Sequence, residues 1–325
     1  MKALRLEAVG SLALRDLDDP SPGPGEVLLR VGACGICGTD RHLLRGEFPS
    51  RPPYTLGHEF AGIVEALGEG VDGLAVGDLV TADPNIPCGH CEACRRGRVN
   101  LCPRNVPLGV GRDGGFAERA VIPAAQAHVV PQEVGAEAAA LTEPLACTLH
   151  GVDLAALAPG MTATVLGGGV IGLMAVQLAR LAGAEVTLVT RSRGKRDLAI
   201  ELGAARAEAD AGALPQADAV LECAGVAETV AEAPRLARAG GTVVVLGVLP
   251  QGATVPFDPF DLVFREIRLQ GSFVNPFTHA RAARLIATGA IRTAPLVTRR
   301  LPLAEAADAI AAPPPAGEVR ALAIP

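Results

Sequence analysis

The chain has 325 residues, of which 49% are hydrophobic and 20% charged, with a formal net charge of −6 and a pI near 5.6. This length favours two domains, and the composition excludes a disordered chain. The acidic balance argues against nucleic acid or an anionic membrane surface as the main partner. No run approaches the ~20 apolar residues of a membrane span. Because charges interrupt the apolar residues at the N-terminus, no signal peptide is expected and the predicted location is cytoplasmic.

Short β-prone runs separated by Pro/Gly-rich turns dominate the first 145 residues. The clearest are the predicted strands at 26–31, 60–67 and 78–81. From about residue 160 predicted strands alternate with helices, which is typical of a parallel α/β sheet. The strands of this part are 162–166, 185–190, 217–223, 242–247 and 267–271, and the helices 170–182 and 193–202. The stretch 204–216 is weakly patterned, and two helices and a strand at 318–324 complete the chain.

Four of the eight cysteines follow the spacing Cys-x2-Cys-x2-Cys-x7-Cys, at Cys88, Cys91, Cys94 and Cys102. In a cytosolic protein, clustered cysteines bind metal more often than they form disulfides. Four thiolates make a closed tetrahedral zinc site with no open position, so the spacing predicts a structural zinc. An iron–sulfur cluster is disfavoured because the ferredoxin run has a shorter last gap. Four reduced cysteines without a metal are the remaining alternative.

A second group combines different ligand types on two short, glycine-flanked segments. Cys37 opens the first segment, Cys-Gly-Thr-Asp-Arg-His, and His58 and Glu59 follow Gly57 in the second. A lone residue of any of these types is more often structural than a ligand. Together they predict a catalytic zinc, which typically has three protein ligands and an open position for water or substrate.

The pattern Gly167-x-Gly169-x-x-Gly172 follows a predicted strand and opens a predicted helix. This context predicts a dinucleotide-binding loop, although a glycine turn without a ligand remains the alternative. Gly167 permits the tight turn, Gly169 lets the pyrophosphate approach the backbone, and Gly172 lets helix and strand pack closely. Val170 and Ile171 begin the helix, whose free N–H groups and positive dipole end favour the pyrophosphate.

The residues after the second strand of this half predict NADP as the preferred cofactor, with NAD as the alternative. NAD enzymes carry an acidic residue about 20 positions past the glycines. Thr190 occupies that position here, and Arg191, Ser192 and Arg193 follow. Threonine does not repel a 2′-phosphate, and hydroxyl and guanidinium groups donate hydrogen bonds to it. Arg191 is the predicted main phosphate contact, unless both arginines are solvated loop charges.

Taken together, these motifs resemble those of the zinc-dependent medium-chain alcohol dehydrogenases. The segment around Cys37, the Gly-His-Glu signature, the cysteine quartet and the glycine loop occur in the family's order. Glu143-Pro144-Leu145 is similar to the sorbitol (polyol) and threonine dehydrogenase branch. The resemblance implies an α/β protein with a β-rich GroES-like catalytic domain over 1–146 and 272–325. Residues 147–271 would form a Rossmann domain, a doubly wound parallel sheet.

The resemblance also implies a role for each residue of the open metal site. Cys37 and His58 match direct zinc ligands. Glu59 matches a carboxylate that binds zinc directly or through water, and Glu143 one that coordinates at some stage of the cycle. Asp40 matches the carboxylate that orients the ligand histidine and holds its tautomer.

Two further residues match a proton path, in which Thr39 accepts the substrate proton and His42 relays it toward solvent. Phe48 and Phe116 match pocket-lining positions, each with an ordinary core interpretation. Arg41 and Arg112 are the only suggestive candidates for binding a sugar phosphate, and the alternative is that they are solvated.

The predicted function is hydride transfer between a secondary alcohol or polyol and NADP(H) or NAD(H). The alternatives are a non-enzymatic dinucleotide-binding redox sensor on the same scaffold, a zinc-free reductase, and an NAD-dependent threonine-type dehydrogenase. The branch forms dimers and tetramers, so the resemblance implies a homo-oligomer. Residues 242–249 and 267–273 are the candidate sheet edge for a symmetric partner.

Overall fold

The computed structural model describes residues 1–325 and divides into two compact units. The first contains Met1–Glu143, His279–Gly289 and Val297–Pro325, and the second Pro144–Thr278 and Ala290–Leu296. The predicted boundaries placed 144–146, 272–278 and 290–296 in the first domain instead. For 290–296 hydrogen bonds explain the difference, because Gln177 of the second unit exchanges two of them with the backbone of Arg292. Thr278 donates to the carbonyl of Ala146 (2.7 Å), which joins two of the other reassigned segments to each other.

The chain forms sixteen strands and ten α-helices. The strands are β1 (Lys2–Ala8), β2 (Ser11–Asp16), β3 (Glu26–Ile36), β4 (Tyr54–Thr55), β5 (Glu59–Leu67), β6 (Leu79–Ala82), β7 (Arg119–Pro123), β8 (Ala127–Val129), β9 (Thr162–Leu166), β10 (Glu185–Val189), β11 (Arg206–Glu208), β12 (Ala217–Glu222), β13 (Ala237–Val245), β14 (Arg268–Gly271), β15 (Val297–Pro302) and β16 (Arg320–Ile324). The helices are α1 (Gly38–Arg45), α2 (Glu92–Arg95), α3 (Gly135–Ala140), α4 (Thr142–Ala155), α5 (Val170–Leu181), α6 (Arg193–Glu201), α7 (Ala227–Leu236), α8 (Pro259–Phe264), α9 (His279–Ala287) and α10 (Ala306–Ala311). None of these helices combines the length and the hydrophobicity that crossing a bilayer requires.

Two sheets form the first unit. One has the order β2-β1-β4, and the other β15-β16-β3-β5-β6-β8, with β7 paired to β3. Val27, Leu29 and Val31 of β3 are buried at every second position, because alternate side chains of a strand point to the same face. No strand is predicted from the sequence before residue 26. β1 and β2 form there because Leu4 and Leu6 of β1 are fully buried in the core.

The second unit is a six-stranded parallel sheet with the order β11-β10-β9-β12-β13-β14. Numbered within this unit, the order is 3-2-1-4-5-6, which is that of a doubly wound dinucleotide-binding fold. β11 lies in the stretch that sequence left unassigned, and β13 begins five residues before its predicted start at 242. Because β13 pairs with both β12 and β14, it offers no free edge; β14 is the edge strand.

Candidate functional site

Three of the predicted zinc ligands converge in the first unit. Cys37 lies between β3 and α1, and His58 directly precedes β5, which begins at Glu59. β3 and β5 pair antiparallel with Gly35 opposite Glu59, so the sheet register brings the two segments together. One ligand atom of each of the three residues lies within 4.8 Å of the other two.

Close packing explains the glycine before His58. Gly57 has φ +93°, and a Cβ there would lie 2.6 Å from the sulfur of Cys34 and 2.7 Å from the amide nitrogen of Phe116. Burial, with the charges of Asp40 and Glu59, raises the pKa of the Cys34 thiol well above its ordinary value. Cys34 is therefore a packed, protonated thiol. Phe116 is fully buried and so belongs to the core, which was its alternative interpretation.

Asp40 connects the two ligand segments from a fully buried position. Its Oδ2 accepts a hydrogen bond from the backbone N–H of Cys37 (2.8 Å), and its Oδ1 lies 3.6 Å from Nδ1 of His58. Burial lowers the pKa of His58, but its interactions with Asp40 and Cys37 outweigh burial and raise that pKa well above its ordinary value. The carboxylate is thus placed to orient both ligands.

Arg320, the first residue of β16, forms a buried ion pair that the sequence analysis missed. Its Nη2 lies 3.1 Å from Oε1 of Glu59, and its Nη1 donates to the carbonyl of Ile36. The two side chains are 6% and 1% exposed. Burial by itself lowers the pKa of Arg320, while the charges of Glu59 and Cys37 raise it above its ordinary value. The only sequence signal was an arginine opening an otherwise apolar strand.

The chemistry of the donor set fits a zinc ion. Oε2 of Glu59 is buried without a hydrogen-bond partner, and Nδ1 of His58 faces Asp40, which leaves Nε2 as the imidazole atom for a metal. Leaving such atoms unsatisfied is costly, and a cation beside them would remove part of the cost. Thiolate, imidazole and carboxylate are the ligands that zinc takes in proteins. Glu143 lies outside the group of three, but it is buried and its charge contributes to the raised pKa of Arg320.

The cysteine quartet forms a second, local site. The sulfurs of Cys88, Cys91, Cys94 and Cys102 all lie within 4.8 Å of one another. Cys91 Sγ is 3.4 Å from that of Cys94 and 3.8 Å from that of Cys102. Four sulfurs placed tetrahedrally ~2.3 Å from zinc are ~3.8 Å apart, so the spacing fits the ion. Hydrogen bonds from the backbone at His90 and Cys91 lower the pKa of Cys88 to about 6, while burial and the neighbouring Cys91 raise that of Cys94 to about 12, so the argument for zinc rests on the spacing of the sulfurs.

The two predicted relay residues lie on α1. Oγ1 of Thr39 is 3.8 Å from the sulfur of Cys37. One turn further on, Nδ1 of His42 is hydrogen-bonded to Glu47, and its ring stacks on Phe48 with centroids 4.7 Å apart. No motif in the sequence marks Glu47, because a glutamate after a helix-ending glycine is a common surface feature.

The two arginines considered for a sugar phosphate have other partners. Arg41 donates to the carbonyls of Ala309 and Ala312, at 3.1 and 3.3 Å. Arg112 lies 3.3 Å from Oε1 of Glu26. Nothing in their surroundings therefore favours a phosphate ligand.

In the second unit, the glycine loop connects β9 to α5. A Cβ on Gly172 would lie 1.8 Å from the carbonyl oxygen of Gly167, so the helix can pack here only with glycine. A Cβ on Gly169 would meet nothing within 4 Å, so the backbone there is open to a ligand. Val170 is buried, Ile171 is half-buried, and both lie in the first turn of α5. The loop is shaped to take a pyrophosphate.

Thr190 follows β10 and faces this loop. Its Oγ1 and Cγ2 lie 2.9 Å from the position of a Cβ on Gly168. Arg191 and Arg193 are exposed, and Arg193 lies 4.0 Å from Asp197. Nη1 of Arg196 donates to the carbonyls of Thr190 and Arg191, at 2.8 and 2.9 Å. A polar, cationic loop without a carboxylate at position 190 therefore lies beside the glycine turn.

Comparison with known families matches both parts of the chain. Residues 23–132 match the alcohol dehydrogenase GroES-like domain, and residues 170–288 match the zinc-binding dehydrogenase domain. The first contains both metal-ligand groups except Glu143, and the second contains the loop glycine Gly172 and the residues after β10.

Individual relatives span nearly the whole chain. D-arabinitol dehydrogenase 1 of Uromyces fabae is 34% identical over 95% of this chain and 93% of its own. Sorbitol dehydrogenase of Halalkalibacterium halodurans is 34% identical over 84% of each chain. A crystal structure described as a zinc-binding dehydrogenase from Sinorhizobium meliloti 1021, bound to NADP, is 54% identical with a TM-score of 0.97. It covers 100% of this chain and 99% of its own.

Proposed function

The chain belongs to the zinc-dependent alcohol dehydrogenase family, and from this membership we propose that it transfers hydride between a secondary alcohol or polyol and NADP(H). The predicted family and fold class are confirmed. The observation that carries the proposal is the convergence of Cys37, His58 and Glu59 within 4.8 Å. A dinucleotide-binding protein without an enzymatic role has no need for three such ligands beside the proton-accepting groups of Thr39 and His42.

We assign the open metal site to Cys37, His58 and Glu59, with Glu143 as the further carboxylate in their neighbourhood. Asp40 orients His58 and, through the backbone of Cys37, the start of α1. Arg320 holds one oxygen of Glu59, which leaves the other oxygen for the ion. When bound, zinc supplies Lewis-acid activation of the alcohol hydroxyl and makes it more acidic at neutral pH.

The proton of the substrate then moves along α1. Thr39 lies close enough to Cys37 for its hydroxyl to accept the proton from an alcohol held at the ligand group. His42 takes the proton onward toward solvent, because its side chain is 21% exposed. General-base assistance of this kind contributes ~10²–10⁴-fold to a rate. The hydride itself passes from the substrate carbon to the nicotinamide, whose redox chemistry belongs to the cofactor.

We assign the preferred cofactor as NADP, with Arg191 as the main contact of the 2′-phosphate. No carboxylate stands at position 190, and Arg191 is exposed beside the glycine loop. The NADP-bound relative with 54% identity supports this assignment. One or two exposed charge-assisted hydrogen bonds imply a preference of about 10–100-fold in kcat/KM. Thr190→Asp combined with Arg191→Leu should reverse the preference, and a higher kcat/KM of the unmodified enzyme with NAD would contradict it.

We further propose a homo-oligomer formed through the second unit. β14 is an edge strand whose four residues are all exposed. Beside it in sequence, α8 exposes Phe260, Val263 and Phe264, at 66%, 72% and 72%. A second copy that pairs with β14 would cover these side chains, as symmetric interfaces require a self-complementary patch. Light scattering should show a particle at least twice the 33.1 kDa chain, and a 33.1 kDa particle would contradict the proposal.

The test of the function combines metal analysis with a substrate panel. Purified protein should contain two zinc ions per chain and reduce NADP with at least one of sorbitol, xylitol, arabinitol, butanediol or threonine. Each substrate is tested with both cofactors, and Cys37→Ser is the matched inactive control. Zinc with turnover of threonine and NAD would favour the threonine-type alternative. Protein with neither zinc nor turnover would leave only the non-enzymatic interpretation.

We also propose a cytoplasmic location, because reduced cysteines are typical of that compartment.

A further inference from the structure

Glu47 occupies a defined position at the end of α1. The helix is closed by Gly46, which has the left-handed φ of +73° and donates its N–H to the carbonyl of Leu43 (3.1 Å). The next N–H, that of Glu47, donates to the carbonyl of His42 (2.9 Å). The side chain of Glu47 then returns to the ring of His42 and contacts Nδ1 through Oε2. Backbone and side chain thus attach Glu47 to the same histidine.

Phe48 and Arg45 complete the arrangement. The ring of Phe48 stacks on the imidazole with an interplanar angle of 20°, which limits rotation of the imidazole out of this plane. Nη1 of Arg45 lies 3.6 Å from Oε1 of Glu47, so the two carboxylate oxygens have different partners. The hydrogen bond from His42 lowers the pKa of Glu47. The charges of His42 and Arg45 lower it further, and partial burial opposes them. Glu47 is therefore ionised throughout the neutral range.

An ionised carboxylate only accepts hydrogen bonds. A hydrogen bond between Glu47 and Nδ1 therefore requires the proton of neutral His42 to be on Nδ1, which leaves the lone pair on Nε2. Nε2 is then the atom that can accept a proton. The side chains of His42 and Glu47 are 21% and 30% exposed, so water can reach the pair.

We propose that Glu47 is a positioning residue of the proton relay, which holds His42 in the tautomer and orientation that accept a proton at Nε2. The inference rests on the proposed dehydrogenase function and assigns to that function a residue beyond the histidine. The alcohol loses one proton to the hydroxyl of Thr39, which gives up its own proton to Nε2 of His42, and water then removes that proton from the imidazolium. Glu47 stabilises the imidazolium without being protonated, as buried carboxylates do for other catalytic histidines.

The test compares Glu47→Gln with Glu7→Gln, which removes a carboxylate of similar exposure from β1. Glu7 is 31% exposed and lies 2.7 Å from Arg15. Glu47→Gln should lower kcat for alcohol oxidation by about 10-fold, a part of the ~10²–10⁴-fold that a general base contributes. KM should change less than about 2-fold, because Glu47 does not contact the substrate. Glu47→Asp should recover part of the loss, and Glu7→Gln should leave kcat unchanged.

Two readouts separate a positioning role from a structural one. The pH–rate profile of Glu47→Gln should differ from that of the unmodified enzyme, since the imidazolium formed during turnover has lost its carboxylate. Nitrogen-15 NMR of the histidine ring should show the proton on Nδ1 in the unmodified enzyme and a mixture of tautomers in Glu47→Gln. Glu47 and, through it, Arg45 are the charged groups paired with the ring, while Arg41 of the same helix donates to the carbonyls of Ala309 and Ala312.

The outcomes distinguish the inference from the function on which it rests. If His42→Ala lowers kcat but Glu47→Gln leaves kcat, the pH profile and the tautomer unchanged, the role of Glu47 is refuted and the relay stands. If His42→Ala itself has no effect on the pH–rate profile, the relay fails whatever Glu47 does. A proton found on Nε2 in the unmodified enzyme would overturn the inference independently of any activity.

Discussion

The two candidate zinc sites lie in the same unit of the molecule but are built in opposite ways. The cysteine quartet takes all four ligands from one loop, and three of its four cysteines are only half-buried. The site of Cys37, His58 and Glu59 draws on β3, α1, β5 and β16, and its carboxylates and histidine are at most 8% exposed. The quartet can bind a metal wherever its loop lies in the fold, because all four ligands belong to that loop. The site of Cys37, His58 and Glu59 forms only in one register of β3 and β5, because a slip of one residue turns Glu59 to the opposite face of the sheet.

The largest expected effect follows from removing a ligand of the distributed site. Cys37→Ser should reduce turnover by more than about 10⁴-fold, the upper end of what general-base assistance alone provides. The midpoint of thermal unfolding should change little, because Cys37 is half-buried and serine is smaller than cysteine. Steady-state kinetics with thermal melts check this. Measurable turnover at a tenth of the original rate would break the proposed division between the sites.

Removing a ligand of the local site should have the reverse result. Cys91→Ser should lower the unfolding midpoint by about 10 °C or more, because a closed structural zinc contributes directly to folding. Activity per folded molecule should stay within a few-fold of the original value. Calorimetry on the zinc-loaded protein provides the measurement. If Cys91→Ser lost activity at an unchanged midpoint, the quartet would not be structural.

Breaking the buried ion pair should destabilise the distributed site without touching a ligand. Arg320→Met leaves the carboxylate of Glu59 buried without its partner, which should cost about 3–5 kcal/mol of unfolding free energy. Adding Glu59→Gln to Arg320→Met should restore part of the stability, although not the activity. Denaturant unfolding of both variants tests the pair. Equal stability of the single and double variants would show that the two charges do not interact.

The smallest expected effect is a loss of folding stability at acid pH. Its cause must be distinguished from the loss of zinc before the two metal sites are compared at low pH. His279 of α9 is 1% exposed, its Nε2 lies 3.2 Å from Oγ1 of Thr81, and its ring is tilted by 35° against that of His128. Burial, aided by His128, lowers the pKa of His279 well below its ordinary value. A histidine whose pKa is lower in the folded than in the unfolded protein stabilises the fold above pH ~6.5. This stability is lost as the pH falls below ~6.5, at a rate of at most about 1.4 kcal/mol per pH unit.

His279→Gln should therefore flatten the acid limb of stability between pH 6.5 and 5 while zinc content stays at its original value. Unfolding free energies at several pH values, with zinc measured in parallel, check this. A limb of unchanged slope in His279→Gln would assign the acid sensitivity to the metal sites instead.

Short local patterns in the sequence were enough to predict the metal-ligand groups and the dinucleotide-binding loop. The spacing of the four cysteines and the glycines between a strand and a helix depend on short-range geometry, so they were readable without knowing the fold. The strands 162–166 and 185–189 were placed within a residue, because short runs rich in Val, Thr and Leu with glycines near their ends are typical of strands. Cys37, His58 and Glu59 were also identified, as residue types on two short segments.

Tertiary structure decided what depends on contacts between distant segments. Arg320 reaches Glu59 only because β16 adds to β3, and no spacing pattern predicts an arginine at the other end of the chain. β1 and β2 form because their leucines meet the core, and β14 rather than β13 is the free edge because the strand order places it last. Glu47 gained its place through the left-handed turn at Gly46. A sequence shows which side chains can do chemistry; the pairing of strands and the closing of turns determine which of them meet, because those contacts form only when the whole chain folds.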